Sequence, residues 1–205
     1  MQKALENVDP EHLGSEIREV RKARGFTLKE LSRNVSCSAA YLSRIELGSA
    51  NISAALLDEI SAALSVESSW FFPIQAGKGP LEQRHIVRAE NRRNLSAMYT
   101  RSKSELGFED ELLSSSLSGQ CYLILSKFAA GIGKQPEPNE GYMFAGEQHA
   151  MVLSGEVELK LEDETIILRT GDSFSYPSMI AHRFRNHSET EATMVWAMSP
   201  VRISW

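Results

Sequence analysis

The sequence is short of the residues that staple or metallate a small protein. It has two cysteines, Cys37 and Cys121, far apart and with no CxxC or HxxxH partner, among only five histidines in all. That pattern excludes a disulfide framework and a zinc finger, and both cysteines are expected to be buried, reduced thiols. Long apolar runs are missing too. The longest, Cys121 to Phe128, is broken by Ser126 and Lys127, far short of the roughly 18 apolar residues that a membrane-crossing helix needs. The opening MQKALENVDPEH carries Glu6, Asp9 and Glu11 and no apolar signal core, so nothing marks the chain for export and a cytoplasmic location is expected. What is present is the composition of an ordinary globular protein: 205 residues, 42% hydrophobic, 24% charged and 8% aromatic. That length can bury a core of its own, and two small domains are expected.

The net charge of −5 is unevenly spread. Residues 1–73 hold 8 basic and 10 acidic side chains, residues 74–103 hold 7 and 2, and residues 104–205 hold 7 and 15. Within the first segment, Arg18, Arg21, Lys22, Arg24, Lys29, Arg33 and Arg44 outnumber Glu19, Glu30 and Glu46. A local positive field of this kind can face phosphate even in an acidic chain, although solvated basic helices are common.

The apolar spacing changes along the chain. Leu13, Ile17 and Val20, then Leu28 and Leu31, then Leu42 and Ile45, then Leu56, Leu57, Ile60 and Leu64 recur at helical intervals, which predicts a compact all-helical unit. Thr27 to Glu30 fits a capping box, Ser38 and Ser53 are placed to cap the third and fourth helices, and Gly25 and Gly48 sit where helices stop. Two helices, about 28–35 and 38–47, are then joined by a tight turn. The bulky Trp70-Phe-Phe-Pro73 closes the unit, and IQAGKGP (74–80) has linker composition. From about Gln120 the spacing alternates: Val157, Leu159, Leu161; Ile166, Leu168; Phe174, Tyr176; His182, Phe184; Met194, Trp196, Met198. With recurrent turn residues this predicts a small antiparallel sandwich or barrel. Glu109 to Leu113 reads as either a short helix or an edge strand.

The stretch GFTLKELSRNVSCSAAYLSRIELGSANIS, with SVESSWFF beyond it, resembles the repressor-type helix-turn-helix of the XRE family over about residues 12–72. The resemblance implies a lambda-repressor-like domain whose recognition helix presents Ser38, Ala39, Ala40, Ser43 and Arg44 to the major groove. Arg44 is best equipped to grip guanine O6 and N7 in a fork. Thr27 and Lys29 would meet phosphate, which sets register without reading sequence. Arg21 and Glu46 stand where the family forms an ion pair between its first and third helices. The chain departs from its relatives at Ala39 and Ala40, which are short, so that direct readout is thin, and at Ser36 and Cys37 in the turn.

Gly171-(5)-Pro177-x-Met179-(2)-His182-(3)-Asn186 resembles the second cupin motif, with Met179 in place of a glycine. Aligning Gly155 with the glycine of the first motif puts Gln148 at the metal-binding glutamate, and Tyr142 and Phe144 (or Gly141 and Met143) at the histidines. Of four metal ligands only His182 remains, and His149 points away from Gln148 by strand alternation, so no metal or other cofactor is expected. Tyr142, Phe144, Gln148, Tyr176, His182, Phe184 and Trp196 could line a small-ligand pocket, or fill the barrel as core.

The fold class expected is α+β multidomain: an all-α helix-turn-helix domain (1–73), a basic connecting segment (74–103) and an all-β cupin jelly roll (104–205). The order resembles the XRE–cupin transcriptional regulators. It implies a non-enzymatic, DNA-binding homodimer on a pseudopalindromic operator, with a small-molecule effector, no membrane partner and motion at 74–80. The alternatives are a metal-dependent cupin enzyme of the epoxidase or oxygenase type with an accessory helix-turn-helix, and a protein-binding adaptor.

Overall fold

The computed structural model describes residues 5, 8–72, 85–95, 98–99, 107–131 and 146–200. The chain divides into two compact units, a helical one running to Asn91 and a strand unit of Arg92–Ser114 with the residues from Gly119 on. Among the described residues no helix is long and apolar enough to cross a membrane.

Helix α1 (Pro10–Ala23) starts where Asp9 accepts from the Glu11 amide at 3.1 Å and Pro10 presets the first turn. It buries Leu13, Ile17 and Val20. Helix α2 (Leu28–Leu31) is a single turn closed by its capping box: the Glu30 amide donates to Thr27 Oγ1 (3.2 Å) and the Thr27 amide to Glu30 Oε2 (2.8 Å). It is shorter than the sequence spacing predicts, because the chain turns away after Leu31 and the following bends are tied down elsewhere. Both the Ser36 amide (2.6 Å) and its hydroxyl (2.8 Å) donate to the Glu59 carboxylate. Ser38 and Ser53 cap α3 (Ala39–Glu46) and α4 (Ala54–Leu64) as expected, each accepting an amide at 3.2 Å. Gly48, at φ 68°, ends the recognition segment in a conformation that side chains resist, and a Cβ there would meet Glu11 Cα at 2.8 Å. Trp70 and Phe71 are buried in a 3-10 turn at Ser68–Phe71.

The strand unit is a double sheet. Strands β1 (Arg93–Asn94), β2 (Phe108–Leu112), β3 (Tyr122–Phe128), β4 (Glu147–Ser154), β7 (Ser173–Pro177) and β9 (Ala192–Ser199) form a six-stranded sheet in the order β1-β2-β3-β9-β4-β7. Strands β5 (Glu156–Leu161), β6 (Glu164–Arg169) and β8 (His182–Arg185) form a second, ordered β6-β5-β8. Every pairing is antiparallel. Alternation decides the core: β9 buries Ala192, Met194, Trp196 and Met198, and β3 buries Tyr122, Ile124, Ser126 and Phe128. The two sheets meet through rings, with Phe184 of the small sheet 4.9 Å from Trp196 and 5.7 Å from Phe174 of the large one.

Residues 108–112 resolve the two alternatives in favour of a strand: Phe108–Leu112 pairs with all of Ile124–Phe128 on one side, while the two-residue β1 covers only Glu111 and Leu112 on the other. One expectation is corrected by this phase. Cys121 is exposed, not buried, because it shares the outward phase of Leu123, while Cys37 is half-buried in the turn before α3. Partial burial and the nearby Glu59 raise the Cys37 thiol pKa, which disfavours the reactive thiolate.

Candidate DNA-binding face and barrel interior

In α3 the buried residues are Leu42, Ile45 and Glu46, so the helical repeat turns the other face outward. Ala40 and Arg44 are exposed there, with Ala39 and Ser43 half-buried and Ser38, Thr27 and Lys29 exposed at the starts of their helices. The surface that sequence reasoning assigned to DNA is therefore open. Arg44 Nη2 makes only a long contact, 3.5 Å, to the Ser49 carbonyl, leaving the guanidinium fork available. Ser38 and Thr27 already serve as helix caps, a role compatible with facing phosphate. Tyr41 on the same helix is 37% exposed, and its hydroxyl donates to the Asn51 carbonyl at 2.8 Å.

The face is held from behind by the ion pair that the resemblance implied. Arg21 Nε donates to Glu46 Oε1 at 2.6 Å, Nη2 to Oε2 at 2.8 Å, and Nη1 to the Phe26 carbonyl at 2.6 Å, with both side chains buried. A bidentate fork with its spare donor satisfied is the geometry in which a buried pair tolerates desolvation. Gly14 lets α1 lie directly on the end of α3: a Cβ there would stand 2.2 Å from the Ile45 carbonyl oxygen.

In the barrel, register brings Gln148 opposite both Tyr176 and Met198, and Ala150 opposite both Phe174 and Trp196. Of the candidate lining residues, Gln148, Tyr176, His182 and Trp196 are buried and Phe184 is half-buried. Tyr142 and Phe144 lie outside the described residues, as does the linker at 74–80. Phe174, absent from the sequence-based set, stacks on Tyr176 with ring centroids 5.9 Å apart; its place two residues earlier on the same strand was the available signal. The Tyr176 hydroxyl donates to Gln148 Oε1 at 3.5 Å, and burial pushes its pKa up.

His182 contacts the Tyr176 ring at 4.8 Å, and its Nδ1 lies 2.7 Å from the Ile180 carbonyl. A carbonyl can only accept, so the hydrogen sits on Nδ1 and Nε2 keeps its lone pair. Burial holds the imidazole pKa below its ordinary value, against the opposing pull of that carbonyl, so the ring is neutral. Asn186, the last residue of the cupin-like motif, organises a turn: its amide donates to the Phe128 (3.3 Å) and Thr190 (2.8 Å) carbonyls, and its Oδ1 accepts from Ser188.

The donor set does not fit a divalent metal. His149 is exposed beside Glu147, on the opposite face from Gln148, which among the described residues leaves one imidazole and one neutral amide where three or four donors are required. Among the described residues no group of three His, Cys, Asp or Glu could hold a metal ion.

A second polar cluster escaped the sequence reading. Asp110 is buried on the inner phase of β2, where the Tyr99 hydroxyl donates to it at 2.5 Å and the Ser126 hydroxyl also donates. Burial outweighs both hydrogen bonds and lifts the carboxyl pKa to about 6. Its signal lay in period two, which turns the middle acid of Glu109-Asp-Glu111 inward if the segment is a strand.

The helix-turn-helix family model matches residues 17–71, and the cupin domain model matches residues 145–198. The chain therefore carries a helix-turn-helix domain followed by a cupin domain. Two curated relatives match over 63 residues each, 31% of this chain. One is described as polyketide synthase CurC of Streptomyces cyaneus, 36% identical over 41% of its length, the other as protein SchB of Streptomyces halstedii, 35% identical over 46%. The chain thus spans less than half the length of these relatives. Among solved structures, hydroxypropylphosphonic acid epoxidase from S. wedmorenis aligns with 93% of this chain and 98% of its own at 16% identity and a TM-score of 0.45. A helix-turn-helix transcriptional regulator from Vibrio cholerae aligns with 93% of this chain and 96% of its own at 16% identity and a TM-score of 0.38. Similarities this low carry no functional argument, and the assignment of the two domains rests on the two family models.

Proposed function

We propose that the protein is a homodimeric, sequence-specific transcriptional regulator whose cupin domain takes up a small-molecule effector. The observation that carries the DNA-binding half is the outward face of α3, with Arg44 free to fork onto guanine while Leu42, Ile45 and Glu46 anchor the helix behind it. Ser38, Ala39, Ala40 and Ser43 frame that contact, and Thr27 and Lys29 position the unit on phosphate. Two copies read a pseudopalindrome with half-sites about one helical turn apart. For the sensing half, the support is a wall of aromatic rings with a few polar handles, and an effector acts by binding one arrangement of the paired DNA-binding units more tightly than another. Among the described residues, an aromatic interior with no buried lysine or arginine and a single buried, neutral imidazole favours this reading over metal-dependent catalysis.

Selection of genomic fragments by the purified protein at near-physiological salt, with Arg44→Ala alongside, tests the reading, since salt governs nonspecific binding. The expected result is one enriched palindromic site, with affinity for it reduced by about 1–3 kcal/mol in Arg44→Ala and no change in unfolding. Equal affinity of the variant would remove Arg44 from the interface.

A further inference from the structure

Buried hydrogen-bonding groups in folded proteins almost always have partners. At the Gln148 end of the barrel three do not. Among the described residues, Gln148 Nε2, Trp196 Nε1 and Ser178 Oγ have no hydrogen-bond partner, although the three side chains belong to residues 1%, 6% and 0% exposed. Register makes them neighbours: Gln148 pairs with Met198, two residues from Trp196 on β9, and with Tyr176, two residues before Ser178. The first two groups are donors only, and the neutral His182 adjoining Tyr176 adds an accepting Nε2.

The charge around them is equally informative. Among the described residues, the buried side chains of the barrel include neither lysine nor arginine, and Asp110 is their one carboxyl. An anion would enter without a counterion, and a cation would face the positive ends of N–H groups; both are costly in a buried site. Resting on the reading of the barrel as the effector site, we infer that its ligand is an uncharged, largely apolar molecule bearing a carbonyl oxygen, such as an amide, ketone or lactone, held by the Gln148 and Trp196 N–H groups against the Phe174, Tyr176 and Phe184 rings.

The test uses the full chain and three probes that share a ring and differ in charge: benzamide, benzoate and benzylamine, followed by ligand-observed NMR at neutral pH. Benzamide is expected to bind, and the two ions to bind at least about tenfold more weakly. Trp196→Phe, which keeps a ring and deletes the donor, and Gln148→Met, which keeps the length and deletes the amide, should each weaken benzamide about tenfold, the worth of one hydrogen bond. Because Trp196→Phe deletes only an unmet donor, the thermal midpoint of the ligand-free protein should hold or rise in that variant, which separates lost binding from lost fold; Gln148→Met also removes the acceptor of the Tyr176 hydroxyl, so its midpoint should fall slightly. Benzoate or benzylamine binding as tightly, with loss in Trp196→Phe, overturns the chemical class and keeps the site. Binding of none of the three, or of benzamide unchanged in both variants, overturns the site itself. Enrichment of an operator by the same preparation stands or falls separately.

Discussion

The helical and strand units each bury a carboxyl group and treat it in opposite ways. Glu46 is met by a two-pronged guanidinium, so its charge is retained and cancelled at the junction of α1 and α3. Asp110 is met only by the hydroxyls of Tyr99 and Ser126, and its pKa rises to about 6. A DNA-reading helix needs a rigid seat, and a complete ion pair supplies one. Among the described residues, the buried side chains of the strand unit include neither lysine nor arginine, so no cation stands beside Asp110 to cancel its charge.

The largest effect is expected from breaking the complete pair. Arg21→Ala strands Glu46 and should cost the helical unit about 3–5 kcal/mol in chemical denaturation, whereas replacing both partners together by Met and Leu should recover most of it. A loss below about 1 kcal/mol would show that the pair does not seat α3.

The incomplete cluster gives a pH signature instead. With its carboxyl pKa raised from 3.8 to about 6, folded protein holds a proton on Asp110 that unfolded protein releases. Its contribution is therefore fully present below about pH 4 and is lost as pH rises through about 6. The amount is about 2–3 kcal/mol. Asp110→Asn lacks this titration, so its stability relative to the parent should climb by that amount between pH 4 and pH 7, measured by urea unfolding of the strand unit. Parallel profiles would place the carboxyl in water.

A smaller change probes the seat without charge. Gly14→Ala forces a methyl group against the Ile45 carbonyl and should cost about 1–3 kcal/mol, weakening DNA binding through a displaced α3 and sparing the strand unit. An unaltered melting profile would show that α1 and α3 have room to part.

Much of this was legible locally. Caps at Thr27, Ser38 and Ser53 and two-residue alternation along β3 and β9 depend on neighbours a few positions away, and they are realised; the alternation expected at Ile166 is not, since that side chain is exposed on β6. The outward phase of Ala40 and Arg44 follows from the helical repeat. Other features depended on residues far apart in the chain. The length of α2 was misjudged because the bends after Leu31 are held by Glu59, more than twenty residues on. Cys121 was misplaced because its phase is set by where β3 enters the sheet.

By itself, the sequence determined the periods, the caps and the two motifs, and hence a helix-turn-helix followed by a cupin barrel, because those are short-range properties of the chain. Only the tertiary structure decided that Asp110 faces Ser126 and Tyr99, that His182 donates to Ile180, and that the Gln148 and Trp196 donors lie unmet among aromatic rings. Hydrogen-bond satisfaction and desolvation are set by contacts across the sheets, and composition or spacing along the chain cannot specify them.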